Sequence, residues 1–196
     1  LLHLGNYAAK AFDLSYDYII NSNEKVAEKG HKTEEAINTI DEQLTRYLIS
    51  LSGEALSQKE SEVLTNILDS SRDLERIGDH AEALINLNDY LQRKNVHFSS
   101  SALEELAEIY LKTSEFVKDA LESVENNDLE QAQALMERHE AINKMERVLR
   151  KTHIKRLNNG ECSTQAGVNF IDIISHYTRV SDHAMNLAEK VLAEQI

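Results

Sequence analysis

Apolar side chains recur every three to four residues in six successive stretches, the period of a helix with one buried face. The first stretch runs from about Leu2 to Ile20, with Leu4, Ala8, Ala11, Leu14 and Tyr18 on one side. Asn21-Ser22-Asn23 interrupts it, and Asn23 is placed to cap a second helix that runs to about Leu51 and carries Val26, Ile37, Ile40, Leu44, Tyr47 and Leu48. Gly53 follows, where a left-handed cap favours glycine. Ser57-x-x-Glu60 reads as a capping box for a third helix, about Gln58 to Gln92, and Ser101-x-x-Glu104 as another for a fourth, about Ala102 to Glu125. Asp128 caps a fifth helix, about Leu129 to Leu157, which Asn158-Asn159-Gly160 ends. The sixth follows Ser163 or Thr164 and runs nearly to the last residue.

Two polar phrases within these helices occur twice. Glu35-Ala36-Ile37-Asn38 returns 105 residues later as Glu140-Ala141-Ile142-Asn143. Glu75-Arg76-Ile77-Gly78-Asp79-His80-Ala81 returns, degraded and 103 residues later, as Thr178-Arg179-Val180-Ser181-Asp182-His183-Ala184. Two matches in one order at nearly one spacing mark a tandem duplication. Helices one to three therefore repeat as four to six, with Asn23 matched by Asp128. The expected fold is all-α: two tandem three-helix up-down-up bundles, residues 1–97 and 98–196, packed as one elongated body.

Composition supports helices. Among 196 residues there is no Pro, no Trp and only 6 Gly, so interior helix breakers are rare. The net charge of −13 argues against nucleic acid or anionic lipid as a partner, and equally serves solubility. The lone Cys162 cannot form an internal disulfide and points to a reducing compartment; it reads as an ordinary thiol. No apolar run approaches the ~18 residues of a membrane span, so direct insertion is not expected.

Candidate chemistry lies where acidic residues stray from the solvent face. In the third helix, Leu64, Ile67, Leu68, Ser71, Leu74, Gly78, Ala81 and Ile85 form the apolar stripe, and Glu75, Asp79 and Glu82 fall at its edge. Glu75 and Asp79, one turn apart, repel each other. Either Arg72 and Arg76 neutralise them, or a hard cation does, with Glu35 supplied by the second helix. Gly78, costing ~1 kcal/mol against Ala in mid-helix, signals close approach of another helix or a ligand. In the sixth helix Asp182 lies within a stripe of Ile171, Ile174, Thr178, Ser181, Met185 and Leu192.

The string Glu75 to Ala81, the opening Leu4-Gly5-x-x-Ala8, the paired Glu-x-x-Asn segments and the six-helix period together resemble the PhoU domain over essentially the whole chain. The resemblance implies two three-helix bundles whose Glu-x-x-x-Asp motifs hold iron, zinc or nickel in several members. It implies a first metal site of Glu75 and Asp79 with Glu35, joined by Asn38 or Asp41, and a second of Glu140 and Asp182 with Asn143 nearby. Thr178 replaces the motif glutamate, so the second site is expected to be the weaker, with Asp172 and His176 as substitutes. The resemblance further implies a non-enzymatic regulator of phosphate transport at the inner face of the cell membrane, in the cytoplasm. Its partner would be a membrane phosphate transporter, either a separate chain or its own transmembrane part. The opening on helix one without Met suggests the cytosolic C-terminal domain of a bacterial Na⁺/phosphate cotransporter. A second copy of the chain is a further candidate partner.

Other constellations are weaker. His80 and His183 point away from the apolar stripe by helical angle and read as solvated, as do Asp69 and Asp73. Glu28-x-x-His31 stands alone, whereas a di-metal carboxylate oxidase needs two such pairs. No glycine-rich phosphate loop or oriented nucleophile is present, so catalysis is not expected. A metal-free helical interaction module is the competing reading.

Overall fold

The computed structural model describes residues 1–53 and 56–194. The described residues form six helices and no strand: α1 (Leu2–Asn21), α2 (Glu24–Ser52), α3 (Gln58–Arg93), α4 (Ser100–Asn126), α5 (Leu129–Asn158) and α6 (Thr164–Leu192). The caps are local. Asn23, Asp128 and Ser163 each accept a backbone N–H of the first turn, from Lys25, Gln131 and Ala166. Ser57 and Glu60 close the full capping box. Two expectations fail. Ser99, not Ser101, caps α4, accepting from the Ala102 N–H, because Ser100 and Ser101 already belong to the helix. Gly53 is right-handed, at φ −77°. The left-handed caps are instead Ser22 and Asn127, whose backbone N–H groups return to the carbonyls of Tyr18 and of Ser123 and Val124.

The helices divide into inner and outer members. α1 packs on α2, α3 and α4, and α6 packs on α3, α4 and α5. α2 touches only α1 and α3, and α5 only α4 and α6, so these two flank the molecule. The seam between repeats is made of the α1–α4 and α3–α6 contacts. One core runs through it, with Phe12, Phe116, Phe170 and Tyr177 fully buried and residues of both repeats in a single cluster. Each of these phenylalanines contributes about 1.5–3 kcal/mol by leaving water.

The α6 stripe is broader than its pattern suggested. Ile173, Tyr177, Val180, Ala184, Leu187 and Val191 are buried along with Ile174 and Met185, because three helices grip α6. In α3 the stripe begins late: Leu64, Ile67 and Leu68 are half-buried, and full burial starts at Ser70. No described helix is long and apolar enough to cross a membrane.

Candidate functional site

Gly78 fixes the geometry between α2 and α3. A Cβ there would lie 2.9 Å from Ile37 Cδ1 and 3.2 Å from its Cγ2, so the missing side chain seats fully buried Ile37 directly on the α3 backbone. That contact brings the polar side of α2 onto the carboxylates of α3. The residue it delivers is Glu34. Glu34 is 7% exposed and accepts a hydrogen bond from Asn38. Glu35, the expected ligand, is exposed on the outer side of α2. The signal for Glu34 was in the chain: it stands one turn before core Ile37 and one turn after buried Gly30.

Glu34 faces a concentration of negative charge. Burial raises its pKa, and Glu82, Asp79 and Glu35 raise it further, against the Asn38 hydrogen bond that lowers it. Burial likewise raises Glu75, followed by repulsion from Asp79, with Arg76 opposing and Asp41 and Glu34 adding to the rise. Arg76 is the local counter-charge. Its side chain lies 2.8 Å from Asp79 and 3.6 Å from Glu75 while remaining 60% exposed. Glu82 reaches His31 at 3.3 Å, and Asp41 accepts from the Ser71 hydroxyl. Oxygen-rich chemistry of this kind suits a hard cation. As placed, however, the described residues include no group of three His, Cys, Asp or Glu side chains that could hold a metal ion.

The duplication supplies an internal comparison. His139 stands where Glu34 stands in the first repeat, and its Nε2 lies 2.9 Å from Asp182. Asn143, matching Asn38, is 3.4 Å from the same nitrogen. Glu140 turns outward, as Glu35 does, and is bound by Arg147 at 3.0 Å. Arg179 lies 3.5 Å from Asp182, Thr178 replaces Glu75 and Met185 replaces Glu82. Both repeats keep the arginine; the second has His139, Thr178 and Met185 where the first has Glu34, Glu75 and Glu82, so the first repeat holds three more carboxylates at this place. Of the five expected ligands, Glu75 and Asp79 lie together, Asp182 is claimed by His139, and Glu35 and Glu140 face solvent.

The histidines after the motif aspartates are not solvated. They meet the opposite repeat across the α3–α6 seam. His183 Nδ1 lies 2.9 Å from Asp73 Oδ1, and His80 Nδ1 lies 2.9 Å from His176 Nδ1. These contacts are equivalents under the duplication, since His80 matches His183 and Asp73 matches His176. Burial lowers His80 to about 4, with the other imidazoles and Arg179 acting the same way. Burial raises Asp73, but hydrogen bonds from His183 and Asn186 and the charge of Lys190 outweigh it and hold the carboxyl below its usual range. Asp73 is thereby a seam residue rather than solvated charge, and His176 lies in the seam against His80, with Asp172 exposed beside it. Cys162 also has a partner, His153 Nε2 at 3.7 Å. His153 is itself buried and stacked on Phe170 at 4.2 Å between ring centroids.

Comparison with known proteins agrees with this architecture. The PhoU domain matches residues 1–87 and 106–191, one block in each repeat. A Thermotoga maritima protein described as phosphate-specific transport system accessory protein PhoU homolog 1 is 30% identical over 178 residues, 91% of this chain and 68% of that protein. A Clostridium acetobutylicum protein described as phosphate-specific transport system accessory protein PhoU homolog is 21% identical over 196 residues, 98% of this chain and 87% of its own. The crystal structure of PhoU from Pseudomonas aeruginosa has a TM-score of 0.89 at 19% identity, covering 100% of this chain and 94% of that one. The structure of the phosphate transport system regulatory protein PhoU from Streptococcus pneumoniae scores 0.85 at 20% identity, covering 97% and 89%. At such identities the structural likeness establishes the fold; with the domain match across both repeats and the 30% identical relative, this chain belongs to the PhoU family.

Proposed function

We propose that this chain is an accessory and regulatory domain of phosphate transport, acting by protein contact with a membrane transporter at the cytoplasmic face. The observation that carries the reading is the match to a protein described as a phosphate transport accessory protein along 91% of the chain. Whether the transporter is a separate chain or fused to this domain is answered by the full reading frame of the gene. The functional test is disruption of that gene followed by phosphate uptake in phosphate-rich medium. Altered uptake, restored by the intact gene, is expected; unchanged uptake together with unchanged transporter abundance overturns the reading.

Within it, the first-repeat groove is the place for a cation such as iron, zinc or nickel. Glu34, Glu75, Asp79 and Glu82 supply oxygen donors with only Arg76 and His31 against them. Elemental analysis of protein purified without chelator, with melting curves in added Fe, Zn, Mn or Ni, tests this, since a ligand of the folded state raises the melting temperature. Metal-free protein showing no melting shift overturns it. The metal-free module is favoured by Arg76, which already spans Glu75 and Asp79. On that reading Asp79→Asn is mild at every metal concentration.

A further inference from the structure

We propose that the cleft at the far end of the α2–α3 hairpin is the seat of an amphipathic helix laid in line with α1, supplied by residues that precede Leu1 in a longer protein. α1 has 20 residues and α2 has 29, so the antiparallel pair leaves about nine residues of α2 beyond the start of α1. The first turns of α3 lie beside them, and α3 reaches full burial only at Ser70. Leu48, Leu51, Leu56, Val63, Leu64 and Ile67 line the cleft that results, about 350 Å³ in volume. Two helices meet there without a third across them.

The duplication shows what covers this place. Leu1 matches Leu106, and left-handed Ser22 matches left-handed Asn127, so α1 and α4 keep one register from end to end. α4 nevertheless starts six residues before Leu106, at Ser100. Those residues roof the tip of the second repeat. Ala102 is 2% exposed, and Arg156, which matches Leu51, binds both Ser101 and Glu105. Phe98, just before the helix, lies 6.3 Å from Phe170 between ring centroids. Beneath this roof the positions that match Leu48, Val63, Leu64 and Ile67 are His153, Ala166, Gly167 and Phe170, and all four are buried. Val63 is 38% exposed where Ala166 is 3%. Capping gives the same direction. A side chain caps each of the other five helices, whereas Leu1, at the N-cap position of α1, offers no side-chain hydrogen bond. Nothing in the residue chemistry there stops a helix.

The cleft also fixes what the occupant carries. Glu105 answers Arg156, but Leu51 presents only methyl groups, and a carboxylate buried against them would be unpaired. The residue one before Leu1, matching Glu105, is therefore apolar. The residues four and eight before Leu1, matching Ala102 and Phe98, are apolar too, and these places share one helical face. A second copy of the chain is the poorer occupant, because two bodies of net charge −13 repel. An anionic membrane is poorer for the same reason.

Thiol labelling of the longer protein tests this, and no outcome bears on the transport reading. Cys162→Ser removes the thiol of this chain, Val63→Cys probes the cleft, and Val148→Cys, at a position 54% exposed on α5, reports free access. Val63→Cys is expected to react with a soluble maleimide at least about tenfold more slowly than Val148→Cys, because reaction waits on local opening. In the chain that starts at Leu1 the two rates are expected to be equal, with unchanged helical circular dichroism. Equal rates in the longer protein overturn the proposal whether or not the shorter chain folds. So does protection retained in the chain that starts at Leu1. Protection lost on dilution would assign the cleft to a second molecule, and protection lost on removing membrane would assign it to lipid; either overturns the proposal. The codons before Leu1 give an independent check: a proline among the six, or charged residues one and four places before Leu1, overturns it as well.

Discussion

Replacing Gly78 by alanine sets two effects against each other. Removing glycine from a helix interior gains about 1 kcal/mol in propensity. The new Cβ, however, would sit 2.9 Å from Ile37 Cδ1 and 3.2 Å from Cγ2, and overpacking a filled core costs about 1–3 kcal/mol. Cγ2 is fixed to the branched Cβ of Ile37, so the side chain cannot clear both contacts by turning its far end. The expected net result is a loss of about 0–2 kcal/mol. Ile37→Val deletes Cδ1, the nearer atom, and on its own costs about 0.5–1.5 kcal/mol. In Gly78→Ala/Ile37→Val the alanine methyl occupies space the isoleucine has vacated. The pair should therefore cost about 1 kcal/mol less than the sum of the singles. Urea unfolding of the four proteins at constant m-value measures this coupling. Additivity within about 0.3 kcal/mol, or a full 1 kcal/mol gain from Gly78→Ala alone, refutes the close-approach account. The second repeat serves as contrast: Ser181 already carries a Cβ and returns its hydroxyl to Thr178 C=O at 2.7 Å, so Ser181→Gly should simply lose about 0.5 kcal/mol of propensity.

Three further outcomes are expected. Glu34 has a raised folded pKa, so its ionisation costs the folded state more than the unfolded chain, and stability falls as pH rises from the ordinary 4.5 through the folded value. Glu34→Gln should be more stable than wild type in urea at pH 7 and equal to it near pH 3.5; a gain that persists at the lower pH refutes the electrostatic cause. Asp73 has a lowered folded pKa, so it contributes stability above the ordinary 3.8 that is lost as pH falls through the folded value. Asp73→Asn should cost about 1.5–3 kcal/mol at pH 7 and much less near pH 2.5, and an equal loss at both refutes it. The Tyr177 hydroxyl is buried without a hydrogen-bond partner, so Tyr177→Phe should be neutral or stabilising by up to about 1 kcal/mol in thermal melts; a clear loss refutes it.

The helices were legible because caps and periodicity are local, and five of the six starts fell within a residue of expectation. α4 began earlier because three consecutive serines offered rival caps, and Ser99 is the one that accepts the Ala102 N–H. The motif carboxylates Glu75 and Asp79 were legible as a like-charge pair at the edge of a stripe. Their neighbour across the groove was missed although its signal was present: Glu34 and Glu35 are adjacent, and the repeated phrase drew attention to Glu35, while the place of Glu34 one turn before Ile37, which packs against Gly78, turns Glu34 inward. The seam histidines escaped for a related reason. A single-helix projection assigns one apolar face, whereas α3 and α6 each meet several neighbours, and a residue pointing off the first face points onto the second.

The seam contacts carry a consequence for how the two halves hold together. His183 with Asp73 and His80 with His176 are one ancestral contact seen from both ends. In two separate copies such a contact would have to be self-complementary and strong enough to hold them at cellular dilution. Joined through residues 94–99, the halves meet at an effective concentration of order millimolar, about a thousandfold above free copies at about 1 μM, which is worth about 4 kcal/mol of association that the contact itself no longer supplies. Covalent linkage thereby frees each end to drift separately. One end became a carboxylate held by imidazole and lysine, the other a pair of imidazoles that burial keeps neutral.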